Sequence, residues 1–234
     1  MKLEVHALDA FYGRAQILFD VTLKVESGEA VALLGRNGAG KSTTLRAILG
    51  LIPGVRGRVV LDGRDISDMA TGRIVRRGLG WVPEDRRVFP DLSVEENLEV
   101  GRQPPRPRAP LWTKERLYAL FPNLEELRRR PAGRISGGEQ QMLTVARTLM
   151  GNPQVIMLDE PSEGLAPLVV ERMAAAVIEM KREGLGVLLA EQNLRFARAV
   201  SDRATIIEKG KIRFDGTVAT LLADEAVLRT YLAV

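Results

Sequence analysis

The stretch Gly35-Arg36-Asn37-Gly38-Ala39-Gly40-Lys41-Ser42-Thr43 matches the pattern G-x-x-x-x-G-K-[ST] of phosphate-binding loops. An apolar run at 29–34 precedes it and predicts a buried strand, and residues 42–49 have the pattern of a helix that Gly50 ends. Strand, loop and helix therefore follow one another in the order that such a loop requires. The stretch predicts a nucleotide site; the alternative is a glycine-rich turn that only connects a strand to a helix.

The residue types of this loop suit a triphosphate. Three glycines let the backbone turn tightly, so that backbone N–H groups surround the β- and γ-phosphates at the start of a helix. Lys41 adds a positive charge, and the hydroxyl of Ser42 is an oxygen ligand of the kind that Mg²⁺ prefers. The predicted nucleotide-binding residues of the loop are Gly35, Asn37, Gly38, Ala39, Gly40, Lys41, Ser42 and Thr43.

Composition sets the broad class of protein. The 234 residues are 45% hydrophobic and 27% charged, which is typical of a globular chain with a large core. The absence of cysteine excludes disulfides and thiolate metal sites. Because no apolar run reaches the length of a membrane-spanning helix, we expect any membrane association to be peripheral. The net charge of +4 is a weak indication of acidic partners.

Hydrophobic periodicity predicts alternating strands and helices, and hence an α/β fold. Right-handed crossovers between such elements build a parallel sheet whose strand C-termini carry the site. Predicted strands besides 29–34 lie at 3–8, 17–25, 57–63, 80–83, 154–160, 186–190, 204–208 and 211–214, and predicted helices besides 42–49 lie at 94–100, 114–120, 123–130 and from 136 to 150. The proline-rich segment 104–110 predicts an exposed, semi-rigid loop, with recognition by a proline-binding module as the alternative.

Two glycines stand in the first turn of the predicted helix that begins after Ser136. Ser136 and Glu139 form a capping-box pattern, which is a complete structural account of this helix start. Gly137 and Gly138 nevertheless cost about 1 kcal/mol each relative to alanine in a helix. We therefore expect a group to approach this backbone closely, and bare N–H groups at a helix start favour an anion.

Two carboxylates, Asp159 and Glu160, end the apolar strand predicted at 154–160. In ATPases with a phosphate-binding loop, a carboxylate at such a strand end holds Mg²⁺, and the next residue can polarise the attacking water. Near the N-terminus, Phe11 and Tyr12 precede the loop, and an aromatic ring there could stack on a nucleobase or pack in the core.

Three motifs in this order and spacing resemble those of the nucleotide-binding subunits of ATP-binding-cassette (ABC) transporters: the loop at 35–43, Ser136-Gly137-Gly138-Glu139-Gln140, and Asp159-Glu160. The resemblance covers nearly the whole chain. Within that family, stretches at 83–90, 94–98, 164–167, 191–193 and 226–232 look like the second of the two ATPase subunits of branched-chain amino acid importers.

The resemblance implies a RecA-like core with an antiparallel N-terminal β subdomain at 1–84 and 151–234, and an inserted helical subdomain at 85–150. It also implies that Tyr12 stacks on adenine. The segment 136–140, with Ser136, Gly137, Gly138 and Glu139 as its nucleotide-binding residues, would cap the γ-phosphate held by the opposite subunit, and the loop 162–165 would contact that subunit. Two ATP sites would then form between two head-to-tail cassettes.

The resemblance also assigns chemical roles. Glu160, Lys41 and Gln192 would be catalytic, and Ser42, Glu84 and Asp159 would hold Mg²⁺. Two positions depart from the general pattern: Glu84 stands where most cassettes have a glutamine, and Gln192 where most have a histidine that contacts the γ-phosphate. Both departures are typical of this importer branch.

The implied partners are a second copy or a sister ATPase subunit, membrane permease subunits, and, indirectly, a periplasmic binding protein. The implied location is the cytoplasmic face of the inner membrane, and no nucleic acid is expected. We expect residues 86–89 and the helix at 94–98 to meet the permease, because an exposed aromatic beside arginines is typical of an interface. The alternatives are another ABC importer, a lipopolysaccharide exporter, a soluble cassette acting on nucleic acid or the ribosome, and a module that binds ATP without hydrolysing it.

Overall fold

The computed structural model describes residues 2–107 and 109–232. The strands are β1 (Lys2–Tyr12), β2 (Ala15–Glu26), β3 (Ala30–Leu34), β4 (Gly54–Leu61), β5 (Arg64–Asp65), β6 (Leu79–Val82), β7 (Val155–Asp159), β8 (Gly186–Glu191), β9 (Arg203–Glu208) and β10 (Lys211–Thr217). The helices are α1 (Lys41–Ile48), α2 (Thr71–Arg76), α3 (Val94–Gly101), α4 (Lys114–Leu120), α5 (Pro122–Glu126), α6 (Gly137–Leu149), α7 (Pro167–Arg182), α8 (Leu194–Val200), α9 (Val218–Ala223) and α10 (Glu225–Val227). Short 3₁₀ and π turns lie at Ala132–Arg134 and Leu228–Leu232.

The strands form two sheets. The larger sheet has the order β10-β9-β3-β8-β7-β6, in which all neighbours are parallel except the β9–β10 hairpin. The smaller sheet is antiparallel, in the order β2-β1-β4-β5. The predicted α/β class is confirmed, and the loop 35–43 leaves the C-terminal end of β3 in the middle of the larger sheet.

Burial explains why the central strands are apolar throughout. Every residue of β3, β7 and β8 is buried, because helices or the second sheet cover both faces of the larger sheet. In β2, by contrast, buried and exposed residues alternate from Val21 to Val25, since one face of the antiparallel sheet meets solvent. Helix α1 lies between the two sheets, and its Leu45 and Ile48 belong to a buried cluster with residues of both. The nucleotide loop and its helix are thus held from both sides.

Helices α3 to α6 occupy the chain between β6 and β7, and their apolar side chains join the same buried cluster as one face of the larger sheet. The capping box predicted at the start of α6 forms, and the Ser-x-x-Glu pattern at 93–96 forms a second one at the start of α3. The hydroxyl of Ser93 accepts the N–H of Glu96, and that of Ser136 accepts the N–H of Glu139. Within residues 2–107 and 109–232, no helix is both long and apolar enough to cross a bilayer.

The helix predicted at 123–130 is too long. Helix α5 ends at Glu126, and the three arginines that follow lie in turns and not in a last helical turn. The carbonyls of Arg128 and Arg130 instead accept the backbone N–H groups of Glu95 and Val94. These two donors stand in the first turn of α3 and have no partner within their own helix. A tertiary pairing therefore competes successfully with continuation of the helix.

The proline-rich segment is not simply an exposed loop. The guanidinium of Arg106 is partly buried and donates to four backbone carbonyls: those of Val75 (3.3 Å), Arg76 (3.2 Å), Asn152 (2.8 Å) and Gly151. The first two carbonyls belong to the end of α2, and the other two follow α6. A cation at helix C-termini is also favoured by the helix dipoles. Arg106 therefore ties this segment to the ends of two helices.

Replacing Arg106 with alanine should lower the free energy of unfolding by about 1–3 kcal/mol, the usual range for a charged donor whose acceptors stay part-buried. Arg102→Ala is the matched control, because its guanidinium pairs with the exposed Glu99 and should contribute less than about 1 kcal/mol. Urea denaturation followed by circular dichroism measures both. Equal effects of the two substitutions would show that the Arg106 contacts do not stabilise the fold.

Candidate active site

The loop between β3 and α1 presents backbone N–H groups to an open space. Gly40, which caps α1, has φ +116°, and a Cβ on it would stand 2.9 Å from the side chain of Leu18. Gly38 has φ +78° with no atom near its Cβ position in the described chain, so the backbone there faces the opening. Among the residues that the structure describes, no acidic side chain stands in the first turn of α1 and none caps it. The positive end of α1 is therefore available to an anion.

Lys41 is buried at the base of this loop. Its Nζ donates to the carbonyls of Gly35 (2.9 Å) and Arg36 (3.3 Å) and forms an ion pair with Oε1 of Glu160 at 3.1 Å. The two side chains of this pair are only 3% and 7% exposed, so each charge depends on the other. In this arrangement the lysine and the carboxylate predicted to be catalytic are in direct contact.

Asp159 contacts Ser42, the residue that follows Lys41 in the loop. Its Oδ1 accepts a hydrogen bond from the hydroxyl of Ser42 at 2.8 Å, and its buried Oδ2 has no hydrogen-bond partner in the described part of the chain. Burial raises the pKa of Asp159, while the bond from Ser42 acts in the opposite direction. Two oxygen donors side by side, one with an unused lone pair, fit Mg²⁺, which completes its coordination with phosphate oxygens and water.

The backbone at the end of β7 directs Glu160 toward the loop. Glu160 has φ +48°, an uncommon conformation for a residue with a Cβ, and its N–H donates to the carbonyl of Ala190 at 2.9 Å. Because the chain turns sharply here, Asp159 and Glu160 face Ser42 and Lys41 respectively. A regular continuation of the strand would point successive side chains to opposite faces.

A cavity of about 270 Å³ lies over the loop. Its lining includes Glu84 and Glu163 together with residues of the loop and Glu160; the loop residues are Asn37, Gly38, Gly40, Lys41, Ser42 and Thr43. Glu84 therefore lies at the same cavity as the phosphate-binding loop. Gly35 and Ala39 support the loop from behind, since Ala39 is buried and a Cβ on Gly35 would collide with the carbonyl of Ile207.

Asp159, Gly35 and Ala39 contact or support the loop without lining this cavity, and three further parts of the predicted site lie away from it. Tyr12 is 46% exposed beside the turn at Gly13, so it is not a core residue. Gln192 is exposed, and the segment 136–139 precedes Gln140 and Gln141, which line a second cleft together with Glu84 and Glu160. Within one chain, the structure does not bring these residues to the phosphate-binding loop.

The glycine pair of α6 has close neighbours in the same chain. A Cβ on Gly137 would overlap the guanidinium of Arg86, and a Cβ on Gly138 would stand 3.0 Å from the side chain of Val169. The expectation that a group approaches this backbone is therefore correct. Within the chain, the group that lies against Gly137 is the guanidinium of Arg86.

Glu191 is a buried residue beside the site to which the sequence reasoning assigned no role. It is 1% exposed, and its carboxylate accepts the N–H groups of Ser162 (3.1 Å), Gln192 (2.9 Å) and Asn193 (2.9 Å). Burial raises the pKa of Glu191, and these hydrogen bonds oppose the shift. Glu191 thus joins the loop after β7 to the loop after β8. Its position as an acid that ends an apolar strand, like Asp159, was the available signal.

The arrangement can bind and split a nucleoside triphosphate. Backbone N–H groups and Lys41 would hold the phosphates, Ser42 and Asp159 would hold Mg²⁺, and Glu160 lies where a base can receive a proton from water. When bound, Mg²⁺ would neutralise charge on the phosphate oxygens.

Comparison with known proteins agrees with this site. The family model described as "ABC transporter" matches residues 18–163. The chain belongs to the ABC transporter family. It is an ATPase subunit of that family, with solved relatives of the same fold. One, titled the structure of an ATP-binding subunit of an ABC transporter, is 28% identical with a TM-score of 0.81 over 100% of this chain and 97% of that one. Another, the ADP conformation of the ABC cassette MJ1267, is 25% identical with a TM-score of 0.82 over 98% of each chain.

Two curated relatives of this ABC ATPase are similar over almost their whole length. The high-affinity branched-chain amino acid transport ATP-binding protein BraG of Pseudomonas aeruginosa is 39% identical over 98% of this chain and 99% of its own. The lipopolysaccharide export ATP-binding protein LptB of Haemophilus influenzae is 36% identical over 94% of this chain and 92% of its own.

Substitution of Lys41 and substitution of Glu160 should affect different steps, ATP binding in the first case and hydrolysis in the second. Lys41→Ala should abolish productive ATP binding and destabilise the fold by about 3–5 kcal/mol, because it leaves Glu160 buried without a counter-charge. Glu160→Gln should keep ATP binding and lower turnover by about 10² to 10⁴, the usual contribution of a positioned base. Calorimetric ATP titration, thermal unfolding and steady-state hydrolysis measure these effects.

Retained ATP affinity within a factor of about two in Lys41→Ala would contradict the role of the loop. Undiminished turnover in Glu160→Gln would place the base elsewhere.

Proposed function

We propose that this ABC ATPase powers the import of branched-chain amino acids (leucine, isoleucine and valine). The observation that carries the ATPase chemistry is the buried contact between Lys41 and Glu160, next to the Ser42–Asp159 hydrogen bond. Glu160 acts as general base toward the attacking water, Lys41 stabilises charge on the phosphates, and Gln192 donates to the γ-phosphate. Ser42, Asp159 and Glu84 hold Mg²⁺, and Tyr12 stacks on the adenine.

Two cassettes complete the site. Ser136, Gly137, Gly138 and Glu139 lie outside the cavity over the loop of their own chain, which supports a role toward the nucleotide of an opposite subunit. The partner is a second copy or a sister ATPase subunit. We propose that residues 85–150 form a subdomain carrying this segment, and that residues 1–84 and 151–234 form the nucleotide-binding core.

The choice of solute is supported by similarity alone. BraG matches over a larger share of both chains than LptB does, and a second relative named for branched-chain amino acid transport, probable LivF of Archaeoglobus fulgidus, is 36% identical over 93% of each chain. Lipopolysaccharide export remains the second candidate because the identities differ little. In either system the subunit would be peripheral, on the cytoplasmic face of the inner membrane, with no nucleic acid as partner.

A reconstituted transporter tests the solute. With its permease subunits in proteoliposomes, the complex should hydrolyse ATP several-fold faster when a binding protein loaded with leucine, isoleucine or valine is added. The same complex with Glu160→Gln is the control and should transport nothing. Stimulation by lipopolysaccharide, or only by a solute outside this amino acid class, would contradict the assignment.

An apolar groove along the edge strand β6 is a candidate surface for the permease. It measures about 380 Å³, and its half-exposed apolar side chains are Val75 (41% exposed), Phe89 (45%) and Val100 (53%). The indole N–H of Trp81, which lines the same groove, is buried without an acceptor in the described residues. A helix of a membrane subunit could fill the groove and supply a carbonyl to that donor.

Only part of the surface predicted from the sequence lines this groove. Phe89 does, held by hydrogen bonds between its backbone and the side chain of Asn97 and by the guanidinium of Arg147, 4.9 Å from the ring centroid. Val88 packs against the core instead, and Arg86 lies on Gly137. We therefore propose β6, Phe89 and Val100 as the centre of the permease contact.

A cysteine at Val100 should form a cross-link to the permease, because the side chain is 53% exposed in the groove. The natural chain has no cysteine, so single-cysteine variants report one position each. Leu111→Cys is the control: it is 48% exposed but does not line the groove, and it should not cross-link. Cross-linking at Leu111 and none at Val100, with ATPase activity retained, would contradict this docking surface.

A further inference from the structure

Arg86 occupies a position between two segments that the proposed function directs toward the opposite subunit. Its Nη1 lies directly against Gly137, the first residue of α6, and its Nη2 is 3.9 Å from where a Cβ of Gly164 would stand. Gly164 is an exposed residue of the loop between β7 and α7. Ser136, which caps α6, is also exposed. Arg86 is half-buried, and it lines an open cleft with Glu84, Glu160 and Glu163, which a group of a second subunit can enter.

The charge of Arg86 has no counter-ion in the part of the chain that the structure describes. Among the ion pairs of residues 2–107 and 109–232, none involves Arg86, whereas its neighbour Arg87 pairs with Asp85 at 2.8 Å. The acidic residue in the first turn of α6, Glu139, turns back and accepts the N–H of Ser136 at 2.7 Å. The guanidinium of Arg86 therefore lies at the positive end of the α6 dipole, where two positive groups repel each other. An anion that binds both the guanidinium and the helix start makes this arrangement favourable.

The backbone holds this side chain in place. Arg86 and Arg87 both have positive φ, +59° and +40°, and the carbonyl of Arg86 accepts a hydrogen bond from the hydroxyl of Thr144 on α6. Arg86 is therefore fixed to the same helix whose first turn its guanidinium touches. The small size of Gly137 is what makes room for it, since any Cβ would overlap the guanidinium.

We propose that Arg86 is a catalytic residue in trans: its guanidinium contacts the γ-phosphate of the ATP bound by the opposite subunit. This inference rests on the proposed two-cassette arrangement and adds a cation to the Ser136–Glu139 segment. Guanidinium N–H groups match phosphate oxygens in geometry, and a cation at this place stabilises charge on the γ-phosphate during transfer.

ATP-driven dimerisation measures how much the contact between Arg86 and the γ-phosphate contributes. In a Glu160→Gln background, which binds ATP without turning it over, Arg86→Gln should raise the ATP concentration for half-maximal dimerisation by about ten- to a hundred-fold, as expected for one charge-assisted hydrogen bond. Arg86→Lys should recover part of this loss. ATP binding by the isolated chain should stay unchanged, which also shows that the variant folds. Arg58→Gln, an exposed arginine paired with Asp65 on the outer sheet, is the matched control.

Mixed dimers show in which subunit Arg86 acts. An excess of Lys41→Ala chains mixed with Arg86→Gln chains places the only competent loop opposite an intact Arg86, so hydrolysis should persist. The second mixture contains an excess of the double variant Lys41→Ala/Arg86→Gln and unaltered chains. Here the competent loop lies opposite a subunit that lacks this guanidinium. Hydrolysis should then fall at least ten-fold, a loss of about 1.4 kcal/mol or more in transition-state stabilisation. The same two mixtures made with Ser136→Ala in place of Arg86→Gln test the two-cassette arrangement itself.

If Ser136 behaves in trans but Arg86 does not, the inference about Arg86 is wrong and the proposed dimer stands. Equal rates in the two Arg86 mixtures, or tighter dimerisation of Arg86→Gln, would also overturn it, the latter by showing that the guanidinium obstructs the phosphate. If Ser136 shows no difference between its mixtures, the proposed dimer itself fails.

Discussion

The buried ion pair between Lys41 and Glu160 is the contact on which the rest of the site depends. It joins the start of α1 to the end of β7, and both side chains are almost completely excluded from water. In a low-dielectric environment neither charge is stable alone, so the pair requires β3 and β7 to end at the same edge of the sheet. A nucleotide phosphate would compete with Glu160 for the same ammonium group. Binding of the substrate and release of the carboxylate are therefore linked through one side chain.

The sheet order explains why these groups can meet. Strand β8 lies between β3 and β7, and all three are parallel, so the loops that leave their C-terminal ends converge. Glu191 at the end of β8 connects the loop after β7 to the loop after β8 through three backbone N–H groups. The helix α1, packed between the two sheets, fixes the orientation of the phosphate-binding loop.

The segment from Glu84 to Phe89 links three features of the molecule. It starts at the cavity over the loop with Glu84, passes the first turn of α6 at Arg86, and reaches the apolar groove at Phe89. Two consecutive residues with positive φ turn the chain in the middle of this path. A displacement of Phe89 by a docked helix would therefore move a short, sharply bent segment whose other end lines the nucleotide cavity. Such a segment is a physical candidate for communication between membrane subunit and nucleotide.

The sequence alone determined the α/β class, the strand–loop–helix around Gly35–Thr43, both capping boxes and the placement of two acids at a strand end, because each depends on local spacing and on residue type. What only the tertiary structure decided are contacts between segments far apart in the chain. The carbonyls of Arg128 and Arg130 pair with backbone N–H groups at the start of α3, and α5 ends early. The prolines around Arg106 predicted an exposed loop, but the Arg106 guanidinium donates to carbonyls at the ends of two helices. Likewise, a glycine pair indicates that some group approaches closely, but only the folded chain shows that this group is Arg86 at one glycine and Val169 at the other. Local patterns carry no information about which distant polar group reaches a given backbone, since that is set by how the helices pack against the sheet.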